Sequence, residues 1–106
     1  MSEIYQPAED SYLLSDVLRK NIQNKEISVL DMGSGSGIQA RTLIEIGIPE
    51  ENITLVDINK DSIKHLKKKF SNSRIIYSDL FNKISKNQKF DLIIFNPPYL
   101  PENRDE

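Results

Sequence analysis

Apolar residues fall along this chain in two alternating periodicities. Leu13, Leu14, Val17, Leu18 and Ile22 recur at helical spacing. Pro7, followed by Ala8, Glu9 and Asp10, marks the start of that helix: proline suits a first turn, and carboxylates favour the positive end of the dipole. The pattern predicts an amphipathic helix reaching about Asn21. Ile27 to Asp31 is then a short β-rich run ending in a carboxylate, and Gly33-Ser34-Gly35-Ser36-Gly37 is too glycine-rich to be anything but a loop. Helical spacing resumes from Ile38 to Ile46 and is closed by Gly47 and Pro49.

The alternation then repeats. Ile53 to Asp57 predicts a strand, and Lys60 to Phe70 a helix with Ile63, Leu66 and Phe70 inward. Arg74 to Tyr77 predicts a third strand, followed by Asp79, Leu80, Phe81 and a polar stretch through Lys89. Phe90 to Phe95 predicts a fourth. Near-continuous apolar strands separated by helices indicate a parallel sheet covered on both faces. Right-handed crossovers then leave an α/β, Rossmann-like, doubly wound sheet, which in strand order 3-2-1-4 is half of such a fold.

Composition narrows the class without naming a function. A chain of 106 residues is one domain at most, and no internal repeat, low-complexity tract or linker interrupts it. Fourteen basic and sixteen acidic side chains leave a net charge of −2, which does not suggest a non-specific polyanion binder. The absence of cysteine excludes disulfides and cysteine zinc sites. The acidic, polar N-terminus resembles neither a signal nor a transit peptide, and the apolar runs are too short to cross a bilayer. The expectation is a soluble cytoplasmic domain.

Ligands of such sheets bind beyond the carboxyl ends of the strands, where three acids are expected to close successive strands: Asp31, Asp57 and Asp79. The glycine loop lets backbone approach a ligand closely, and the helix after it presents free N–H groups to an anion. Asp57 lies twenty residues after Gly37, a spacing that suits a carboxylate accepting from ribose hydroxyls. Acids after strands also cap helices and turns, but three in register beside a glycine loop favour a nucleoside site.

A dinucleotide fingerprint requires a third glycine where this chain has Ile38; the glycine falls one position early. Asp31, two residues before Gly33, would repel a pyrophosphate. S-adenosylmethionine carries instead an ammonium, a carboxylate and a sulfonium. Asp31 suits the ammonium, and the amides around Gly33, Gly35 and Gly37 suit the carboxylate. Asp57 suits the ribose, and Asp79 with the Leu80 backbone N–H suits the adenine edge. Ile58 and Leu80 are apolar walls for the base.

Asn96-Pro97-Pro98-Tyr99 follows the fourth strand directly. Prolines commonly terminate strands, but this tetrapeptide also fits a chemical need. An amide or exocyclic amino nitrogen is a poor nucleophile because its lone pair is delocalised. The Asn96 side-chain oxygen and the Pro97 carbonyl can accept both of its N–H bonds and aim it at a methyl sulfonium, while the prolines stiffen the turn. Tyr99 offers a flat face for a planar group. Methyl transfer needs no prior general base, since the nitrogen can shed its proton afterwards.

These residues resemble a class I S-adenosylmethionine-dependent methyltransferase, and most closely the HemK/PrmC-like family that methylates the glutamine of the Gly-Gly-Gln motif in peptide-chain release factors. Tyr5-Gln6-Pro7-Ala8-Glu9-Asp10-Ser11-Tyr12-Leu13-Leu14 is similar to the corresponding segment of its archaeal and eukaryotic branch. D-M-G-S-G-S-G at 31–37 and F-N-P-P-Y at 95–99 match as well. The resemblance implies cofactor contacts from Ser11, Asp31, Gly33, Asp57, Asp79, Leu80 and Asn96, with Asp31 in place of a glutamate common in relatives. It also implies a release factor as substrate and a small zinc-binding activator subunit along the third-strand edge. Family members continue past N-P-P-Y with further strands and helices, so the chain is expected to be the N-terminal, cofactor-binding part of a larger domain. Two other readings stay open: a nucleic-acid amino methyltransferase acting on adenine N6 or guanine N2, and a cofactor-binding fragment without catalysis of its own. His65, the single histidine, is expected on a solvated lysine-rich face, and Lys67, Lys68 and Lys69 at a solvated helix end.

Overall fold

The computed structural model describes residues 9–79 and 88–95. In chain order these form α1 (Glu9–Asn21), β1 (Val29–Met32), α2 (Ile38–Glu45), a 3-10 turn (Glu50–Asn52), β2 (Ile53–Asp57), α3 (Lys60–Lys69), β3 (Arg74–Tyr77) and β4 (Leu92–Phe95). The four strands make one parallel sheet in the order β3-β2-β1-β4. Leu55 and Ile94 flank Asp31 on either side, and Tyr77 pairs with Asp57. Among the described residues no helix is long and apolar enough to cross a membrane.

The continuous apolar character of β1 and β2 has its cause here: every residue of both central strands is buried. Alternate residues serve two cores. On one face Val29, Ile53, Leu55 and Ile94 pack with Leu18 of α1, Ala40 and Leu43 of α2, and Leu66 and Phe70 at the end of α3. On the other, Leu30, Met32 and Val56 form a smaller cluster with Ile76 and Phe90 against it. Ile93 and Phe95 of β4 remain half-exposed.

Local chemistry sets the helix limits. Asn59 caps α3, its side-chain oxygen accepting from the amides of Asp61 (2.8 Å) and Ser62 (3.1 Å), a cap worth about 1 kcal/mol. Lys67, Lys68 and Lys69 complement the dipole in the last turn. Helix α2 ends in a paired cap: Gly47 N–H donates to Ile44 (3.0 Å) and Ile48 N–H to Leu43 (3.0 Å). That geometry needs the left-handed backbone Gly47 adopts at φ 112°. Ile48 and Leu43 then meet in the core.

Two strands start later than the apolar pattern suggests. Before the ladder of β1 and β4 begins, the Asp91 carboxylate accepts from Ser28 N–H (2.9 Å), while the amides of Asp91 and Leu92 both donate to the Ser28 carbonyl (2.9 and 3.2 Å). This clasp satisfies the backbone that ladder pairing would use, so β1 opens at Val29 and β4 at Leu92. The N-terminal segment before Glu9 lies outside the described residues.

Candidate functional site

The carboxyl ends of β1 and β2 carry the site. Asp31 and Asp57 point to the same sheet face, because Asp31 pairs with Leu55, two residues before Asp57. Asp31 is the penultimate residue of β1 rather than its last, and Asp57 closes β2. Beyond β3, Ser78 N–H donates to the Asp57 carbonyl (3.0 Å), which brings the chain back beside β2; exposed Asp79 follows one residue later. Ile58, just past Asp57, exposes 56% of its surface, as an apolar wall open to a ligand requires.

The glycine loop is tied down from several sides. Gly33 and Ser34 N–H both donate to Val56 O (2.8 and 3.0 Å), and Gly37 N–H donates to Ser34 O (2.9 Å). Gly35 N–H donates to Asp57 Oδ2 (2.7 Å), while Asn59 N–H takes Oδ1 (2.8 Å). Gly33, Gly35 and Gly37 all have positive φ. At Gly37 a side chain is excluded twice over: φ is 90°, and a Cβ would lie 2.5 Å from Cε2 of buried Phe70. Four of the five loop amides are therefore spent within the protein. Among the described residues, no protein acceptor takes the N–H of Ser36 or of Ile38, Gln39 and Ala40 in the uncapped first turn of α2. An anion bound at this loop meets those amides.

Asp31 is the anomaly. It is fully buried, and neither carboxylate oxygen has a hydrogen-bond partner among the described residues. Burial pushes its pKa up from 3.8 to about 7; nearby Ser34 offsets part of this, and the Asp57 charge adds to it. The Ser34 hydroxyl donates to the Asp31 carbonyl at 2.8 Å, so Ser34 eases the carboxylate through its nearby dipole rather than by a direct bond. A buried carboxylate left unsatisfied is costly, and a bound cation is the partner that relieves the cost. Orphaned Asp31 beside free helix-terminal amides fits the ammonium and carboxylate of S-adenosylmethionine. Asp57 has both oxygens engaged already, so ribose hydroxyls would use its remaining lone pairs.

Ser11 reaches the same region through a buried polar seam. Gln39 Nε2 donates to the Ser11 carbonyl (3.0 Å), Ser15 Oγ to Gln39 Oε1 (3.1 Å), and Thr42 Oγ1 lies 3.0 Å from both Ser15 Oγ and Ile38 O. Gln39 sits two residues past Gly37, so the seam registers α1 against the glycine loop. Sequence reasoning missed it; the available signal was polar Gln39 and Thr42 sharing the helix with core-facing Leu43. His65 also departs from expectation. It is half-buried, with Nε2 3.0 Å from Ser36 O, because it borders the stripe of Ser62, Ile63 and Leu66 that α3 buries. Leu80, Asn96, Pro97 and Tyr99 lie outside the described residues.

The family model for the "Methyltransferase small domain" matches residues 9–105. The chain belongs to this methyltransferase family. It is 41% identical over 98% of its length to a Methanocaldococcus jannaschii protein provisionally named a protein N5-glutamine methyltransferase, and covers 51% of that protein. It is 33% identical over 93% of its length to the release factor glutamine methyltransferase of Fusobacterium nucleatum, covering 29% of it. The chain thus spans about half or less of these relatives. Among solved structures, the ribosomal protein L11 methylase of Lactobacillus delbrueckii subsp. bulgaricus superposes with a TM-score of 0.70 at 21% identity, over 85% of this chain and 47% of that one. At that identity the match speaks for the fold: the four-stranded 3-2-1-4 sheet is a methyltransferase arrangement.

Proposed function

We propose that the protein carrying this chain is an S-adenosylmethionine-dependent N-methyltransferase that modifies the side-chain amide of the Gly-Gly-Gln glutamine in a peptide-chain release factor. The observation that carries the cofactor assignment is Asp31: buried, unpartnered and adjacent to a glycine loop in a methyltransferase-family chain. Support for the acceptor comes from the relatives named for glutamine and release-factor methylation.

In this reading Asp31 holds the cofactor ammonium, and the amides of Ser36 and the α2 first turn hold its carboxylate. Asp57 takes the ribose hydroxyls, Asp79 and the Leu80 amide take the adenine edge, and Ile58 walls the base. Ser11, with the loop glycines Gly33, Gly35 and Gly37, completes the cradle. Bound there, the cofactor supplies an electrophilic methyl on a sulfonium. Asn96 Oδ1 and the Pro97 carbonyl accept the two N–H bonds of the glutamine amide, and Tyr99 stacks on its plane. The pyramidalising nitrogen is thereby aimed rather than deprotonated, and its proton leaves after transfer. Acting on release factors places the enzyme in the cytoplasm. The outer edge of β3 is the proposed seat of a small zinc-binding activator subunit.

The test is incubation of the full-length protein with labelled S-adenosylmethionine and purified release factor, beside tRNA, rRNA and DNA. Label on the Gly-Gly-Gln glutamine, located by mass spectrometry, is the expected result. Label on a nucleic acid instead would establish adenine N6 or guanine N2 methylation, and label nowhere a cofactor-binding role without catalysis. Asn96→Ala is expected to abolish transfer while calorimetry shows cofactor affinity within about threefold of wild type, a difference below ~1 kcal/mol.

A further inference from the structure

Helix α3 does more than cover the sheet; it grips the glycine loop at consecutive residues. Gly37 packs so close to Phe70 and Leu66 that a Cβ would meet Phe70 at 2.5 Å and Leu66 at 3.1 Å. One residue earlier, His65 Nε2 lies 3.0 Å from Ser36 O. A carbonyl oxygen only accepts, so Nε2 carries the proton and donates, both in the neutral tautomer this bond selects and in the imidazolium. The Ser36–Gly37 peptide is thus held at both ends: its oxygen by His65, its N–H by Ser34 O at 2.9 Å.

That double hold matters because of where the peptide lies. It joins the loop to the first turn of α2, between Gly35 at φ 57° and Gly37 at φ 90°. That plane turns about ψ of Ser36 and φ of Gly37, and glycine at position 37 removes the Cβ that would resist rotation on its side. Rotation of this one would turn the Ser36 oxygen away from α3 and release the geometry of the neighbouring amides. Those amides, Ser36 and the start of α2, are the ones without a protein acceptor among the described residues.

We infer that His65 is a positioning residue: by holding the Ser36 carbonyl from α3, it aims the Ser36 and α2 amides at the carboxylate of the bound cofactor. The inference rests on the cofactor reading above and adds to it a residue outside the glycine loop, on a helix the ligand does not need to touch. The role belongs to ligand affinity and not to the methyl-transfer step. It depends on an N–H donor at the tip of residue 65 rather than on a ring or a charge.

The experiment titrates S-adenosylmethionine and 5′-methylthioadenosine into the full-length protein and its His65→Leu and His65→Gln variants by calorimetry, with thermal melts alongside. Leucine and glutamine are both good helix formers, so α3 persists in each. Methylthioadenosine keeps the nucleoside and lacks the amino-acid end. Loss of one neutral hydrogen bond predicts S-adenosylmethionine affinity roughly 3- to 10-fold weaker in His65→Leu. His65→Gln, which restores an N–H donor, should recover to within about twofold. Methylthioadenosine should bind all three forms alike, and kcat at saturating cofactor should stay unchanged while KM for the cofactor rises. Unchanged S-adenosylmethionine affinity in His65→Leu, or equal weakening of both ligands, overturns the inference. A wild type that binds neither ligand overturns the cofactor reading and this inference together.

Discussion

Asp31 and Asp57 stand on neighbouring strands, face the same side of the sheet and are almost equally buried, at 0% and 3% exposure. Their surroundings are opposite. Both Asp57 oxygens accept backbone amides, from Gly35 and Asn59, so its charge builds the loop and the turn into α3. Both Asp31 oxygens go without a partner among the described residues, so its charge contributes nothing to the fold and costs it something. Two carboxylates of the same type at the same depth thus divide the work. One holds the loop and the turn in place; the other is left unpaired among the described residues, open to the cation proposed above. Separate tuning of paired carboxylates by their environments is a common mark of functional sites.

The largest effect is expected from Asp57→Ala. It strands the Gly35 and Asn59 amides, and with charge-assisted bonds worth ~1.5–3 kcal/mol each, the loss of unfolding free energy should reach about 3 kcal/mol or more by urea titration. Cofactor binding should fall with it, because the loop loosens and the proposed ribose contact is lost. An Asp57→Ala protein as stable as wild type would refute the architectural role given to this side chain.

Asp31→Asn should act in the reverse direction on stability. The folded-state pKa of Asp31 is raised from 3.8 to about 7, so the folded protein binds the proton more tightly than the unfolded chain. Stability is then greatest below the unfolded value, falls as pH climbs between the two, and the full cost is present above about 7. Asparagine removes that cost. The ligand-free variant should melt higher than wild type at pH 8, with the gap closing towards pH 5. Affinity for S-adenosylmethionine should meanwhile drop ~10- to 100-fold at pH 8, the worth of a charge-assisted contact of ~1.5–3 kcal/mol. In wild type that affinity should rise with pH through about 7, as the carboxylate sheds its proton. A variant that is less stable at pH 8 would break the contrast between the two acids.

The smallest effect tests Ser34, which among the described residues eases Asp31. Ser34→Ala removes a hydroxyl bound to the Asp31 carbonyl and close to its carboxylate. It should cost about 1 kcal/mol of stability and shift the pH dependence of cofactor affinity slightly upward. A downward shift, read from the same calorimetric series, would assign Ser34 the wrong sign.

Much of this molecule was legible before its structure. β2 and β3 span the same residues as the apolar runs at 53–57 and 74–77, and the 3-2-1-4 order is the one expected of half a doubly wound sheet of this family. The glycine loop was legible because Gly-Ser-Gly-Ser-Gly permits little else. β1 and β4 were displaced by the Ser28–Asp91 clasp, a contact across 63 residues that no local pattern announces. Gln39 and His65 escaped for a related reason. Each sits at the margin of a buried helical stripe, where a small change in helix rotation decides between solvent and a buried carbonyl.

By itself, then, the sequence determined the elements and the placing of acids and glycines at the carboxyl ends of the strands, since these depend on periodicity and backbone sterics within a few residues. Only the tertiary structure decided that Asp57 is bound by two amides and Asp31 by none, and that His65 holds Ser36. Residue type limits the bonds a side chain can form; the packing of distant segments sets which partner comes within about 3 Å of it.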